Sequence, residues 1–208
     1  MIYATAFPKG GVGKTTLAVH LASFLGKESK TLLIDGDPQR KASTWVEWRR
    51  EGDAPIQFTT VQLIGKAIFD EGRSLSESYD HVVIDVPGEN GLGIRNALLL
   101  ADKVICPMAN AAFDVSEISA FEEIFEQAST FNRGLQRRAL LNKVQGSSRK
   151  AREFIQECGL PLFETEMLYR RSHVNASEAG NTIEEYRPMD KLAIRQYHEV
   201  MEEIGAWQ

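Results

Sequence analysis

The feature that most constrains this 208-residue chain is the stretch AFPKGGVGKTTLA at residues 6–18. An apolar run of strand character leads into it, and a helical pattern of apolar residues follows it. Gly10, Gly11 and Gly13 allow the backbone to turn tightly and to aim its N–H groups at one point. The helix that begins near Lys14 adds the positive end of its dipole there. A strand, a glycine-rich turn and a helix in this order predict a phosphate-binding loop.

The end of the stretch, Gly13-Lys14-Thr15, matches the last positions of the phosphate-loop pattern G-x-x-x-x-G-K-[ST]. Pro8 stands where that pattern requires its first glycine, and an additional lysine, Lys9, follows it. We expect Lys14 to reach the β- and γ-phosphates of a nucleotide and the Thr15 hydroxyl to bind Mg²⁺. The nucleotide-binding residues expected in the loop are Lys9, Gly10, Gly11, Val12, Gly13, Lys14, Thr15 and Thr16.

Short apolar runs alternate with longer helical patterns along the rest of the chain. Such runs are typical of strands buried on both faces, so we expect an α/β fold with a doubly wound, mostly parallel sheet and helices on both faces. The length predicts a single domain over residues 1–208. The expected strands are 2–7, 31–35, 56–60, 81–85, 103–107, 138–144 and a short one near 161–166. The expected helices are 14–26, 41–50, 115–129, 147–158 and 189–204, with a glycine-rich loop at 86–95.

Three aspartates lie at or just beyond the ends of two predicted strands. Asp85 ends HVVID, Asp35 ends TLLID, and Asp37 follows two residues later. Ligands of doubly wound sheets bind beyond the carboxyl ends of the strands, so these carboxylates should lie near the loop. We assign Thr15, Asp35 and Asp85 to a metal site, with Asp85 as the better Mg²⁺ ligand. Asp35 or Asp37 could position or activate an attacking water.

The composition is that of a soluble globular protein and argues against several classes of function. A run of about 18 apolar residues, as a membrane-spanning helix requires, is lacking. The start, MIYATAF, does not have the basic flank and apolar core of a signal peptide. Cys106 and Cys158 lack metal or redox spacing, which predicts reduced thiols and a cytoplasmic protein. The net charge of −5 weighs against a dedicated nucleic-acid binder but is compatible with a local basic patch.

The motifs KGGVGKTT, LLIDGDPQ and VVIDVPG together resemble the deviant Walker-A group of P-loop ATPases. Within this ParA/MinD superfamily the chain is similar to the small, single-domain ParA-type partition ATPases, because DGDPQ favours ParA-like over MinD-like members. RRSHVNASEAGNTIEEY at 170–186 resembles the family's late segment, so the resemblance extends from Ile2 to about Ile204. It implies the P-loop NTPase fold, ATP and Mg²⁺ as cofactors, and ATP hydrolysis that is slow without a partner.

The same resemblance assigns roles to individual residues. The additional lysine of the family crosses a dimer interface to the partner's nucleotide, so Lys9 joins Lys14 and Asp37 as a catalytic residue. Asp37 is expected to align the water, Asp85 to serve Mg²⁺ and Asn142 to hydrogen-bond adenine. The implied partners are a second copy bound in an ATP-dependent homodimer, nonspecific DNA of the nucleoid, and a ParB-like or other centromere or cargo adaptor. The implied function is to partition or position a plasmid, a chromosome region or another cargo.

The late segment departs from the family pattern. Many relatives carry I-P-R-x-x-x-x-S-E-A there, whereas MLYRRSHV at 167–174 lacks the proline and shifts the arginines. The candidate DNA contacts are Arg170, Arg171, Lys191 and Arg195, then Arg187 and a second cluster of Arg149, Lys150 and Arg152. An alternative is a MinD-like membrane-cycling ATPase, which needs a basic amphipathic C-terminal helix, but QYHEVMEEIGAWQ is acidic. A P-loop kinase or ATP-driven synthetase is a third interpretation, for which no distinct acceptor-pocket residues are found.

Overall fold

The computed structural model describes residues 1–88, 91–110 and 115–207. Within these ranges six strands form one sheet in the order β3-β2-β4-β1-β5-β6, and all neighbours are parallel. The expected α/β class and parallel sheet are therefore confirmed. The strands are β1 (Ile2–Thr5), β2 (Thr31–Asp35), β3 (Thr59–Gln62), β4 (His81–Asp85), β5 (Lys103–Met108) and β6 (Gln136–Leu141).

Helices cover both faces of the sheet, as the apolar strands predict. Alternate side chains of β2 enter different cores: Ile34 packs on one face and Leu33 on the other. α3 to α6 pack on the face of Ile34, and α1, α2, α7 and α8 pack on the face of Leu33. The helices are α1 (Lys14–Leu25), α2 (Lys41–Glu51), α3 (Ala67–Ser76), α4 (Leu92–Leu100), α5 (Val115–Ser129), α6 (Arg149–Glu157), α7 (Arg171–Glu178) and α8 (Lys191–Ala206).

The register of the central strands places the polar ends of the sheet side by side. Asp85 at the end of β4 pairs with Thr5 of β1 on one side and with Asp35 of β2 on the other. Because side chains alternate along a strand, Asp35 shares the face of Leu33, and Asp85 shares the face of Val83. This is the face covered by α1, so the fold brings both carboxylates toward the start of that helix.

Three helices differ from the sequence-based expectation. The apolar periodicity does not predict α3 or α7, and α4 begins at Leu92 within the segment 86–95, where the glycines predict a loop. Residues 89–90 of that segment lie outside the described residues. α3 packs through Gly72, where a Cβ atom would lie 2.9 Å from Leu100 Cδ2. Glycine is a poor helix former, so its presence in the middle of this segment weakens the helical signal of the sequence.

Three expected strands are also wrong, two in their bounds and one in its existence. The strand expected at 56–60 is β3 at Thr59–Gln62, because buried Phe58 precedes the strand and shifts the apolar signal toward the N-terminus. Residues 161–166 form an isolated bridge, Ala139 with Leu162, instead of a strand. The last strand ends at Leu141 and not at 144, so Asn142 lies just beyond it.

His20 fixes α1 to the segment before α8. Its Nε2 accepts a hydrogen bond from the Ile183 N–H at 3.2 Å, so its Nδ1 carries the proton and donates to the Thr16 carbonyl at 2.7 Å. Burial lowers the pKa of His20 to about 4, although the Thr16 carbonyl and Glu185 oppose this shift. The neutral imidazole therefore connects the first turn after the loop to the C-terminal part of the fold.

The depressed pKa of His20 predicts a loss of stability in mild acid. The folded-state pKa lies below the unfolded value of 6.5, so the unfolded chain takes up the proton first. His20 then contributes fully above pH 6.5, and its contribution falls as the pH decreases toward 4. We expect it to reduce the free energy of unfolding by about 2 kcal/mol between pH 7.5 and 5, measured by urea unfolding.

The matched variant is His20→Gln, whose amide can donate to Thr16 and accept from Ile183 but does not titrate. The loss on acidification should be about 2 kcal/mol smaller in this variant than in the wild type. Identical losses in the two proteins would contradict the assignment.

Candidate nucleotide-binding site

The phosphate loop lies between β1 and α1, and its shape depends on glycine. Gly11 and Gly13 have φ of 75° and 97°, in the left-handed region that other residues rarely adopt. Val12 between them is buried and anchors the loop to the core. Leu17 N–H donates to the Gly13 carbonyl at 2.9 Å, so α1 begins directly at the loop. The first N–H groups of α1 are therefore available to an anion.

The two lysines of the loop occupy different places. Lys14 is buried, and its ammonium group donates to the Lys9 carbonyl at 2.7 Å. Burial lowers the pKa of Lys14, while Asp85 raises it. Lys9 is partly exposed, and its Nζ lies 3.0 Å from Glu117 Oε2 on α5. Lys14 therefore lies inside the loop, and Lys9 extends from it toward a neighbouring helix.

Asp85 is the residue that best fits a cation. It is fully buried, and neither carboxylate oxygen has a hydrogen-bond partner among the described residues. Burial raises its pKa to about 7; the nearby Thr15 hydroxyl lowers this pKa, and Asp35 raises it further. A buried carboxylate without hydrogen bonds costs free energy unless a cation compensates it. Together with Thr15, Asp85 has the oxygen donors that Mg²⁺ prefers.

Asp35 and Asp37 lie near Asp85 but have different surroundings. Asp35 Oδ2 accepts bonds from the Ser43 N–H at 2.8 Å and from its hydroxyl at 2.6 Å, and Oδ1 accepts from the Asp37 N–H. Asp35 thus holds the turn that leads into α2, and its role as a metal ligand stays a prediction. Asp37 accepts from the Gln39 N–H at 2.9 Å and lines the cleft of the loop.

Two adjoining cavities lie beside the loop. The larger, of about 900 Å³, is a cleft lined by polar residues such as Lys14, Thr15 and Asp37. The smaller, of about 210 Å³, is mainly apolar and lies between α1 and α7. Gly13, Thr16 and Lys143 line both cavities. A polar cleft joined to an apolar cavity matches the shape of a nucleotide, whose phosphates are charged and whose base is flat and largely apolar.

Asn142 lines the smaller cavity and lies directly beyond β6. Its Nδ2 donates to the Val12 carbonyl at 2.8 Å, and its Oδ1 accepts from the Lys143 N–H at 3.0 Å. Lys143, which the sequence analysis missed, donates from Nζ to the Gly11 carbonyl at 2.7 Å. The available signal was a polar pair, Asn142-Lys143, placed directly after a buried strand at the ligand edge of the sheet.

The candidate DNA contacts are only partly brought together. Arg170 lies 2.5 Å from Asp190 and borders one surface pocket together with Lys191. Arg195 lies 3.6 Å from Glu199 of its own helix. Arg171 and Lys191 are exposed and form no ion pair within the described part of the chain. Among the other candidates, Arg149 pairs with Glu153, Arg152 pairs with Glu166, and Arg187 donates to backbone carbonyls.

Within residues 1–88, 91–110 and 115–207, no helix is both long enough and apolar enough to cross a bilayer.

A glycine-rich phosphate loop at the end of a central strand, in a parallel sheet covered on both faces, defines a P-loop nucleotide-binding protein. The family model for the CobQ/CobB/MinD/ParA nucleotide binding domain matches residues 3–183, and the chain belongs to this family. The resemblance to the ParA/MinD superfamily that the sequence motifs carry is therefore confirmed.

The names of similar proteins refer to carboxysome distribution and to plasmid partition. The chain is 30% identical over 202 residues to a maintenance of carboxysome distribution protein A of Gloeobacter kilaueensis, covering 94% of this chain and 90% of that protein. A plasmid partition protein of Borrelia burgdorferi bound to AMPPNP has a TM-score of 0.76 at 21% identity, covering 98% and 97%. A Cyanothece McdA–ATP complex has a TM-score of 0.77 at 18% identity, covering 100% and 97%.

The geometry of Gly13 predicts that the loop does not accept a side chain there. A Cβ atom on Gly13 would lie 2.3 Å from Asn142 Nδ2, and the φ of 97° disfavours any other residue. Gly13→Ala should lower the free energy of unfolding by about 2–3 kcal/mol in urea. Gly10, with nothing within 4 Å of its Cβ position, provides the control. Gly10→Ala should stay within about 1 kcal/mol of the wild type, and equal effects would contradict the role of this contact.

Proposed function

We propose that this chain is a ParA-like ATPase that dimerises when it binds ATP, and that it partitions or positions a cargo. The observation that carries the proposal is the separation of the two loop lysines. Lys14 is buried within the loop, whereas Lys9 extends outward and pairs with Glu117. One lysine is enough for the phosphates of a nucleotide in its own loop, so the outward lysine suits a second nucleotide in a facing subunit. We propose that residues 1–208 form one such ATPase domain.

The chain's own groups account for binding of the triphosphate. The loop N–H groups and Lys14 bind the β- and γ-phosphates, and the apolar cavity beside Asn142 takes the adenine. Thr15 and Asp85 would hold Mg²⁺, because the carboxylate is buried without a hydrogen bond. When bound, this ion offsets the negative charge of the phosphate oxygens. Lys14 donates to the Lys9 carbonyl at 2.7 Å, which keeps its ammonium group within the loop that binds the phosphates.

Hydrolysis needs a group that orients water opposite the γ-phosphate. Asp37 lines the phosphate cleft beside Lys14, and one of its oxygens is engaged by the Gln39 N–H. The other oxygen is 3.7 Å from Lys41 Nζ, a weak contact that a water can replace. Asp37 therefore positions the attacking water, and Asp35 keeps the preceding turn in place through Ser43.

In the proposed dimer, Lys9 leaves Glu117 and contacts the nucleotide of the facing subunit. Two facing ATP molecules bring many negative charges into one interface, and a lysine from each subunit offsets their repulsion and stabilises the transferring phosphoryl group. In the single subunit Lys9 contacts Glu117 at 3.0 Å, and this ion pair must open before Lys9 reaches across. ATP thus stabilises the dimer and hydrolysis releases it.

The similarity to a carboxysome-distribution protein over most of the chain supports a role in positioning cargo. Nonspecific binding to nucleoid DNA would give such an ATPase a surface along which it positions cargo. Arg171 and Lys191 are the most available contacts for this DNA. Dimerisation doubles the number of these contacts, so DNA affinity depends on ATP. A ParB-like or other cargo adaptor then stimulates the slow hydrolysis. The protein is proposed to be cytoplasmic and to associate with the nucleoid when ATP is bound.

The central test compares retention of a short DNA duplex with ATP, with ADP and without nucleotide. Wild-type protein should be retained only with ATP and should run as a dimer in light scattering, and added salt should weaken retention. Lys9→Ala should lose both properties because repulsion between the nucleotides is no longer offset. Glu117→Gln should dimerise at lower ATP concentration, since one competing partner of Lys9 is weakened.

Lys30→Ala is the control, because Lys30 directly precedes the amino end of β2, whereas the phosphate loop follows the carboxyl end of β1. Retention that ignores nucleotide, or that Lys9→Ala leaves unchanged, would refute the ATP switch. ATP-dependent binding to anionic liposomes without DNA binding would instead favour the MinD-like alternative.

Asp37→Ala tests the chemical step separately from dimerisation. Loss of a water-orienting carboxylate should slow steady-state hydrolysis by about 100-fold, measured by phosphate release. ATP-dependent dimerisation should persist, because Asp37 is not needed for phosphate binding. Asp70→Ala on α3 removes an exposed acid and should leave the rate unchanged. A normal rate in Asp37→Ala would exclude it as the water-positioning residue.

A further inference from the structure

Two consecutive residues beyond β6 hold two consecutive carbonyls of the phosphate loop. Asn142 Nδ2 donates to the Val12 carbonyl at 2.8 Å, and Lys143 Nζ donates to the Gly11 carbonyl at 2.7 Å. The N–H group of Asn142 itself donates to the Met108 carbonyl at 2.8 Å, so this pair is tied to the sheet. The loop is therefore held from the strand on the far side of β5, and not only by its own ends.

These two hydrogen bonds affect how the loop binds an anion. A loop that cradles phosphates must turn its N–H groups toward the ligand and its carbonyls away from it. A glycine-rich backbone has many conformations, and ordering it on binding reduces affinity. Donors that hold the Gly11 and Val12 carbonyls in advance remove part of this loss. A cationic donor such as Lys143 makes the stronger of the two hydrogen bonds.

The backbone conformation of Lys143 is of a kind that is typical of functional sites. Its φ is 57°, in the left-handed region that is costly for a residue with a Cβ atom. Such strain persists where the surrounding structure imposes it, and it is concentrated at ligand sites. Lys143 also lines both cavities beside the loop, and its Cε lies 3.7 Å from the Cβ position of Gly13. The strained backbone thus directs the side chain over the loop.

We propose that Lys143 is a positioning residue for triphosphate binding: its ammonium group orders the phosphate loop through the Gly11 carbonyl. The inference rests on the proposed binding of ATP at this loop. Because Lys143 acts on the loop and not on the base, it should matter equally for a nucleotide and for an inorganic polyphosphate. A residue that only supports the fold would instead change the melting temperature and leave affinity intact.

The test measures the affinities of the full chain for ATP and for inorganic tripolyphosphate by calorimetry. Lys143→Met, which keeps the aliphatic stem, should lower the affinity for both ligands by about tenfold. Lys143→Arg should stay within about threefold of the wild type, because a guanidinium can donate to the same carbonyl. Lys143→Gly relieves the strained φ, so it should melt at or above the wild-type temperature and still bind about tenfold more weakly. Lys150→Met, an exposed lysine on α6, is the control for charge.

The outcomes separate this inference from the proposed function. If the wild type binds neither ligand, the proposed ATPase itself fails. If the wild type binds ATP and Lys143→Met binds it within twofold, the positioning role is refuted. A loss for ATP without a loss for tripolyphosphate also refutes it, because Lys143 would then contact the nucleoside. Equal losses of affinity in Lys143→Met and Lys150→Met would attribute the effect to net charge and would also refute the positioning role.

Discussion

The buried carboxylate of Asp85 is the constraint on which the rest of the site depends. It ends the strand between β1 and β2 and has no hydrogen-bond partner among the described residues. Burial raises its pKa to about 7, so without a cation the charged form is disfavoured. The register aligns it with Thr5 and Asp35, and the Thr15 hydroxyl at the start of α1 lies near it. A buried carboxylate with a perturbed pKa beside a cleft is typical of a functional site, and this supports the proposed Mg²⁺ role of Asp85.

The two lysines of the loop near that carboxylate differ in their burial and in their partners. Lys14 is buried and held by a carbonyl of its own loop, which keeps it close to the cleft. Lys9 is partly exposed and is paired with Glu117 on α5. This difference in burial supports the proposed division of roles between the two lysines. The first is suited to a fixed ligand and the second to a reversible contact.

The loop is also connected to the remainder of the molecule from both sides. His20 joins the first turn of α1 to Ile183, and Asn142 with Lys143 joins the loop to β6. The segment around Ile183 is in turn anchored by buried Arg49, which contacts the Gly180 carbonyl and pairs with Glu185. Arg49 thus stabilises a region that borders the apolar cavity. These hydrogen bonds connect the loop to the segment between α7 and α8, the two helices on which the exposed Arg171 and Lys191 lie.

The sequence by itself determined the fold class, the phosphate loop and the strands that end at Asp35 and Asp85, because continuous apolar runs and local motifs carry that information. It did not reveal α3, whose central Gly72 is a poor helix former, or the true position of the edge strand β3. Only the tertiary structure decided that Asp35 holds a turn while Asp85 lacks partners. Likewise, only the structure paired Lys143 with Gly11 and Lys9 with Glu117. These contacts join residues more than a hundred positions apart, so no local pattern predicts them, and strand order and register alone bring them together.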